Sequence, residues 1–125
     1  MNSRVAVASY NQVKNRSGVE DASPHKLIDM LFDGAIERIA QAKGAMAHNN
    51  IELKGTKINS AINIVNGLRE NLSDDEQNDI AVNLDRLYDY IVRILTEAHR
   101  NNDAAKLDEA TTLLMDVGSA WKQIA

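Results

Sequence analysis

Cysteine is absent from this 125-residue chain, so no disulfide frame, thiolate metal ligand or thiol nucleophile can be built from it. That absence agrees with a reducing compartment. Proline occurs once and aromatic residues make up 4% of the chain, too few turn-formers and strand-formers for an all-β domain. No apolar run approaches the ~20 residues of a membrane span, so membrane insertion is not expected. At the N-terminus Val5–Ala6–Val7–Ala8, after Arg4, falls short of the roughly 7–15 apolar residues of a signal peptide, and the cytoplasm is the expected location. Basic residues are dispersed and the formal net charge is −4, which argues against a surface that tracks nucleic-acid phosphates.

What remains is the composition of a helical domain, and the length is that of one domain able to bury a core without staples. Residues 1–22 carry no sustained period beyond a short turn around Tyr10 and Val13, and read as a mobile arm. Ser23–Pro24 then sets an N-cap residue before a proline at the first helical position. From there Ile28, Phe32, Ala35, Ile39, Ala42 and Met46 recur at steps of four and three until His48–Asn49–Asn50. A second stripe runs Ile58, Ala61, Val65, Leu68 and Leu72 from a start near Ile51, with Ser73–Asp74–Asp75–Glu76 as stop and fresh N-cap. A third runs Ile80, Leu84, Leu87, Ile91, Ile94 and Ala98. Asp103 can cap a fourth, carrying Leu107, Ala110, Leu114, Val117, Trp121 and Ile124. Four helices of about 20 residues with short connections must run antiparallel to their neighbours. The expectation is an all-α, up-down-up-down four-helix bundle over 23–125 with a mobile N-terminal arm over 1–22.

Chemistry of the usual bundle kinds is missing. Inward Glu-x-x-His pairs mark di-iron bundles, but Glu97 is followed three residues on by Arg100, so no metal is expected. The histidines fall at predicted helix ends: His25 is expected to face solvent, and His48 and His99 to meet terminal carbonyls. None sits mid-helix, where a histidine phosphotransfer domain needs one. The acidic pairs Asp74–Asp75 and Asp108–Glu109 lie at helix starts, where capping and the macrodipole account for them. No phosphate-cradling glycine loop occurs. The chain is read as a non-enzyme without a cofactor.

Two apolar arcs are wider than a bundle corner requires. On the third helix apolar residues sweep roughly 200°, from Tyr90 and Ile94 through Leu87, Leu84 and Ile91 to Tyr88, Ala81 and Val92. The second helix adds Ile62 on one flank of its stripe and Ile64 on the other. If such flanks join into one patch, an amphipathic helix from another chain is the natural filler. The Tyr10–Val13 arm is then a candidate lid.

Ser23–Pro24–His25–Lys26–Leu27–Ile28 and Met30–Leu31–Phe32–Asp33–Gly34–Ala35 closely resemble the opening of the flagellar secretion chaperone FliS family. So do Ala61–Ile62–Asn63–Ile64–Val65, the Leu84–Tyr90 stretch, Asn102–Asp103 and the late Trp121, in order along nearly the whole chain. The resemblance implies a small bundle that binds the disordered C-terminal segment of flagellin as helices, one to one. It implies that premature polymerisation is prevented and that the client is delivered to an export gate component. It also implies an arm that folds over the bundle and is displaced by the client. On this reading Ile62, Ile64, Leu87, Tyr90 and Ile94 are the expected groove contacts, and Tyr10 and Val13 the lid. Two features depart from the family pattern: Phe32 stands where tyrosine is common, and the turn near Gln77–Asn78 lacks glycines often found there. A self-associating structural bundle is the rival reading from another class.

Overall fold

Each apolar stripe folds as a helix with a side-chain cap at its start. In the computed structural model, which describes residues 22–74 and 77–124, these are α1 (Pro24–Ala47), α2 (Ile51–Glu70), α3 (Asp79–Asn101) and α4 (Ala104–Lys122). Ser23 Oγ accepts the Lys26 N–H at 3.1 Å with Pro24 at the first helical position, as the sequence signal requires. Asn50 caps α2 through the Leu53 N–H, and Asp103 caps α4 through the Ala105 N–H at 3.0 Å. Asn102 closes α3 in the left-handed region (φ 53°), a conformation asparagine tolerates better than most residues.

The turn between α2 and α3 departs from expectation. Ser73 and Asp74 do not cap α3; Asn78 does, its Oδ1 accepting the Ala81 N–H at 3.1 Å. Residues 75 and 76 lie outside the described part of the chain. A start at Asp74 would prepend residues without an apolar side chain to offer the core, and asparagine caps as well as aspartate or serine.

Polar ties record the antiparallel order. Lys43 near the end of α1 meets Asp108 near the start of α4 at 2.8 Å. Arg69 in the last turn of α2 meets Asp85 in α3 at 2.5 Å. Lys54, buried at the start of α2, gives its ammonium to the His99 carbonyl and to Asn102 Oδ1 at 3.1 and 3.0 Å. It thereby satisfies, at His99, a carbonyl that a helix C-terminus leaves open. The result is the expected four-helix, up-down-up-down bundle, each helix packed on its sequence neighbour and α4 closing on α1.

Ala35, Ala42, Ala61, Ala98 and Ala110 are completely buried and let the helices approach around Ile39, Ile58, Ile91, Leu95, Leu107 and Leu114. On α3 the buried line is Ala81, Tyr88, Ile91, Ile94, Leu95 and Ala98. Leu84 and Leu87 are only half-buried and Ile80 is 74% exposed. The expected stripe is therefore rotated toward the flank of the true core face, and it omits Leu95, which is fully buried. Two of the histidines also differ from expectation. His48 does meet a terminal carbonyl, Gly44 O at 2.8 Å, whereas the His99 ring lies against Gly55 and its Nδ1 is buried without a hydrogen-bond partner. His25, expected in solvent, stacks on Trp121.

Candidate functional site

Antiparallel order brings the first apolar residues of α1 and α3 to the same end of the bundle as the last of α2 and α4. There Ile28 and Phe32 of α1 and Leu68 of α2, with Leu72 just beyond it, face Ile80, Leu84 and Tyr88 of α3. Val117, Ala120 and Trp121 of α4, and Ile124 just past its end, complete the lining. They enclose a groove of about 440 Å³, with Asn71 and Asp116 as polar members at the edge. Ile80 and Ile124 are 74% and 57% exposed, so a broad apolar surface faces outward at the rim.

Polar contacts hold the walls of this groove in two pairs. Between α1 and α4, Trp121 Nε1 donates to the His25 carbonyl at 2.9 Å and His25 Nε2 lies 2.7 Å from the Trp121 carbonyl. Lys122 bonds Asp29 and approaches Asp33 at 3.5 Å. Between α2 and α3, Arg69 grips Asp85 with two nitrogens, at 2.5 and 3.3 Å, and reaches Asp89 at 3.4 Å. Its bond to Asp85 raises the Arg69 guanidinium further, and Arg69 in turn holds the Asp85 carboxyl below its usual value. The contacts between α3 and α4, Tyr90 with Glu109 and Lys106 with Glu97, sit away from the groove. Among the described residues none joins α3 to α4 at the groove end. Tyr88 contributes ring surface only: burial pushes its phenol up to about 12, so it stays neutral.

No cluster among the described residues could hold a metal ion. An apolar groove with exposed isoleucines at its rim, open at the end of a bundle, is a place where another chain's apolar face can be buried. A family model described as "Flagellar protein FliS" matches residues 6–125. The chain belongs to the FliS family. It is similar to the flagellar secretion chaperone FliSB of Pseudomonas aeruginosa, 46% identical with 96% of this chain and 95% of that one covered. The flagellar secretion chaperones FliS of Vibrio cholerae and Salmonella typhimurium are each 42% identical, covering 97% and 95% of this chain and 89% of theirs.

In this FliS-family bundle the sequence-expected contacts do not form one site. Ile64 and Ile94, 1% and 3% exposed, are core residues that a partner could reach only by opening the bundle. Ile62 and Leu87 are half-buried against the core, and Tyr90 is exposed on α3 with its hydroxyl bonded to Glu109. Tyr10 and Val13 lie outside the described residues. The residues that do converge are visible in the sequence, but as stripe members. Ile28 and Ile80 begin their stripes and Leu72 and Ile124 end theirs, and antiparallel packing alone puts those four at one end. Ile64→Ala and Ile94→Ala are each expected to cost about 2–5 kcal/mol of stability, the range for truncating a buried aliphatic side chain, in denaturant melts.

Beside the groove, Asp29 is buried between Lys122 and Lys26. Burial raises its carboxyl pKa, but the bonds and charges of the two lysines outweigh that and leave it lowered. A lowered native value means that ionised Asp29 stabilises the fold in full above its unfolded pKa of ~3.9. That contribution is lost as the pH falls through the native value. Asp29→Asn should therefore melt lower than the parent near neutrality and show a smaller further loss of melting temperature between about pH 5 and about pH 2.

Proposed function

We propose that this FliS-family chain is a cytosolic export chaperone that takes the C-terminal segment of flagellin, one segment per chain, into the apolar groove at the end of its bundle. The observation that carries this reading is the groove itself, apolar, lined from all four helices and open at the rim. An amphipathic helix laid into it would place anchors at i, i+3, i+4 and i+7 against its walls. Each well-buried aliphatic anchor contributes roughly 1.5–3 kcal/mol, against about 2–5 kcal/mol or more for ordering a tail that is disordered when free. Three or four anchors are enough.

Leu87 and Tyr90 continue the surface along α3 beyond Leu84, and Ile62 offers a half-buried contact on α2, so a longer client could run past the groove. Burying the flagellin segment would keep it from polymerising early, and the loaded complex would pass to an export gate component. The arm, with Tyr10 and Val13, would cover the apolar surface until the client displaces it.

Calorimetric titration with the flagellin C-terminal segment tests the reading, comparing the full chain with one lacking residues 1–22. One-to-one binding with a negative heat-capacity change, equal or stronger in the shortened chain, is the expected result. A flat titration for both folded proteins would leave the family fold without this client. Sedimentation at rising concentration separates the self-associating alternative.

A further inference from the structure

The lone tryptophan of the chain forms part of the groove wall, and besides its packing on the core it meets His25 by a ring stack and by hydrogen bonds. The two side chains stack with ring centroids 4.7 Å apart and planes 11° from parallel. Each ring nitrogen also meets the other residue's backbone carbonyl: Trp121 Nε1 donates to His25 O, and His25 Nε2 lies 2.7 Å from Trp121 O. Since a carbonyl can only accept, Nε2 must carry the hydrogen. The contact joins the first turn of α1 to the last turn of α4, and among the described residues nothing comparable holds Trp121 from the α3 side. An unheld indole could rotate into the groove or out to solvent, and the groove would then exist only part of the time.

We infer that His25 is a positioning residue for the groove, acting through Trp121 to keep the α4 wall in its binding-competent place. This rests on the groove being the binding site proposed above, although its direct readouts need no flagellin. If His25 works by population, losing it divides the apparent affinity by the change in the competent fraction. An aromatic substitute keeps the stacked face, and a polar one does not.

The test compares His25→Gln, which keeps a donor and loses the stack, with His25→Phe, which keeps the stack and loses the donor. Lys43→Met is the control, since it breaks another α1–α4 tie, the ion pair with Asp108, away from the groove and without touching the rings. Acrylamide quenching of the single tryptophan reports Trp121 directly and needs no ligand. Titration with the apolar dye anilinonaphthalene sulfonate reports the groove, with Ile80→Asp/Ile124→Asp as the variant that should lose the dye. His25→Gln should expose Trp121 to quencher and weaken dye affinity about 5- to 10-fold, a shift within reach of one lost contact. His25→Phe and Lys43→Met should stay within about 2-fold of the parent. Unchanged quenching and dye affinity in His25→Gln would overturn the inference. So would an equal loss in Lys43→Met, which would report general loosening of α4. Repeating the titration with the flagellin segment separates the two proposals: a parent that binds dye but no flagellin segment defeats the client assignment and leaves the role of His25 to be decided by the dye and quenching results.

Discussion

Ile80→Asp together with Ile124→Asp is expected to weaken binding of the flagellin C-terminal segment by at least about 100-fold while leaving the bundle folded. Both side chains are largely exposed in the free chain, at 74% and 57%, so replacing them removes little from the core. Substitutions at such positions usually change stability by no more than about 0.5 kcal/mol. The carboxylate introduced at position 80 would also sit in the first turn of α3, where the helix macrodipole favours a negative charge. In the complex the same two carboxylates would have to leave water for an apolar contact, at a cost of several kcal/mol for unpaired charges. Each 1.4 kcal/mol is about a factor of ten, so even partial burial of one carboxylate exceeds the expected loss. Titration calorimetry beside a circular-dichroism melt reads both halves of the expectation. Retained affinity in a folded variant would move the client off the end groove and onto the surface of Leu87, Tyr90 and Ile62.

The fold is legible because helices repeat at a period a sequence displays. Ser23–Pro24, Asp103 and the stripes of α1, α2 and α4 fall where the structure has them. The third helix is harder. Apolar residues cover so much of its circumference that several stripes can be drawn through it. The stripe through Leu84 and Leu87 is as regular as the one through Tyr88 and Leu95, and it is the second that the structure buries. Ile64 and Ile94 mislead for the same reason: a projection shows that an arc is wide without showing which edge of it a neighbouring helix covers. The end groove is hidden for a different reason. Its residues look like ordinary core when each stripe is read alone, and they become a surface because among the described residues no further turn covers Ile28, Leu72, Ile80 and Ile124. His25 shows the limit of local reading, since its partner Trp121 lies 96 residues away.

The largest stability effect outside the aliphatic core is expected at Gly118, where glycine serves close packing rather than an unusual backbone angle. It is buried on α4 directly against Phe32 of α1, and a Cβ there would lie 3.3 Å from both Cβ and Cγ of that side chain. These atoms are the root of a side chain that is 2% exposed, so they cannot swing aside as the tip of a long side chain would. Glycine inside a helix ordinarily costs about 1 kcal/mol relative to alanine, so Gly118→Ala sets that gain against the strain of a contact with no room to relax. Overpacking a closed core costs typically about 1–3 kcal/mol, and the balance should fall on destabilisation, small for alanine and about 3 kcal/mol for Gly118→Leu. Gly44 supplies the opposite case, since a Cβ there meets nothing within 4 Å, and Gly44→Ala should stabilise the bundle by about 0.4–1 kcal/mol. Denaturant melts of the three variants should rank Gly44→Ala above the parent and Gly118→Leu well below it. Phe32 also lines the end groove, so a side chain at position 118 that pushes its ring would alter that surface as well as the core. Gly118→Ala should therefore weaken dye binding in the groove even at temperatures where the variant is fully folded. A variant that lost stability and kept full dye affinity would show that the α1–α4 contact yields away from the groove instead.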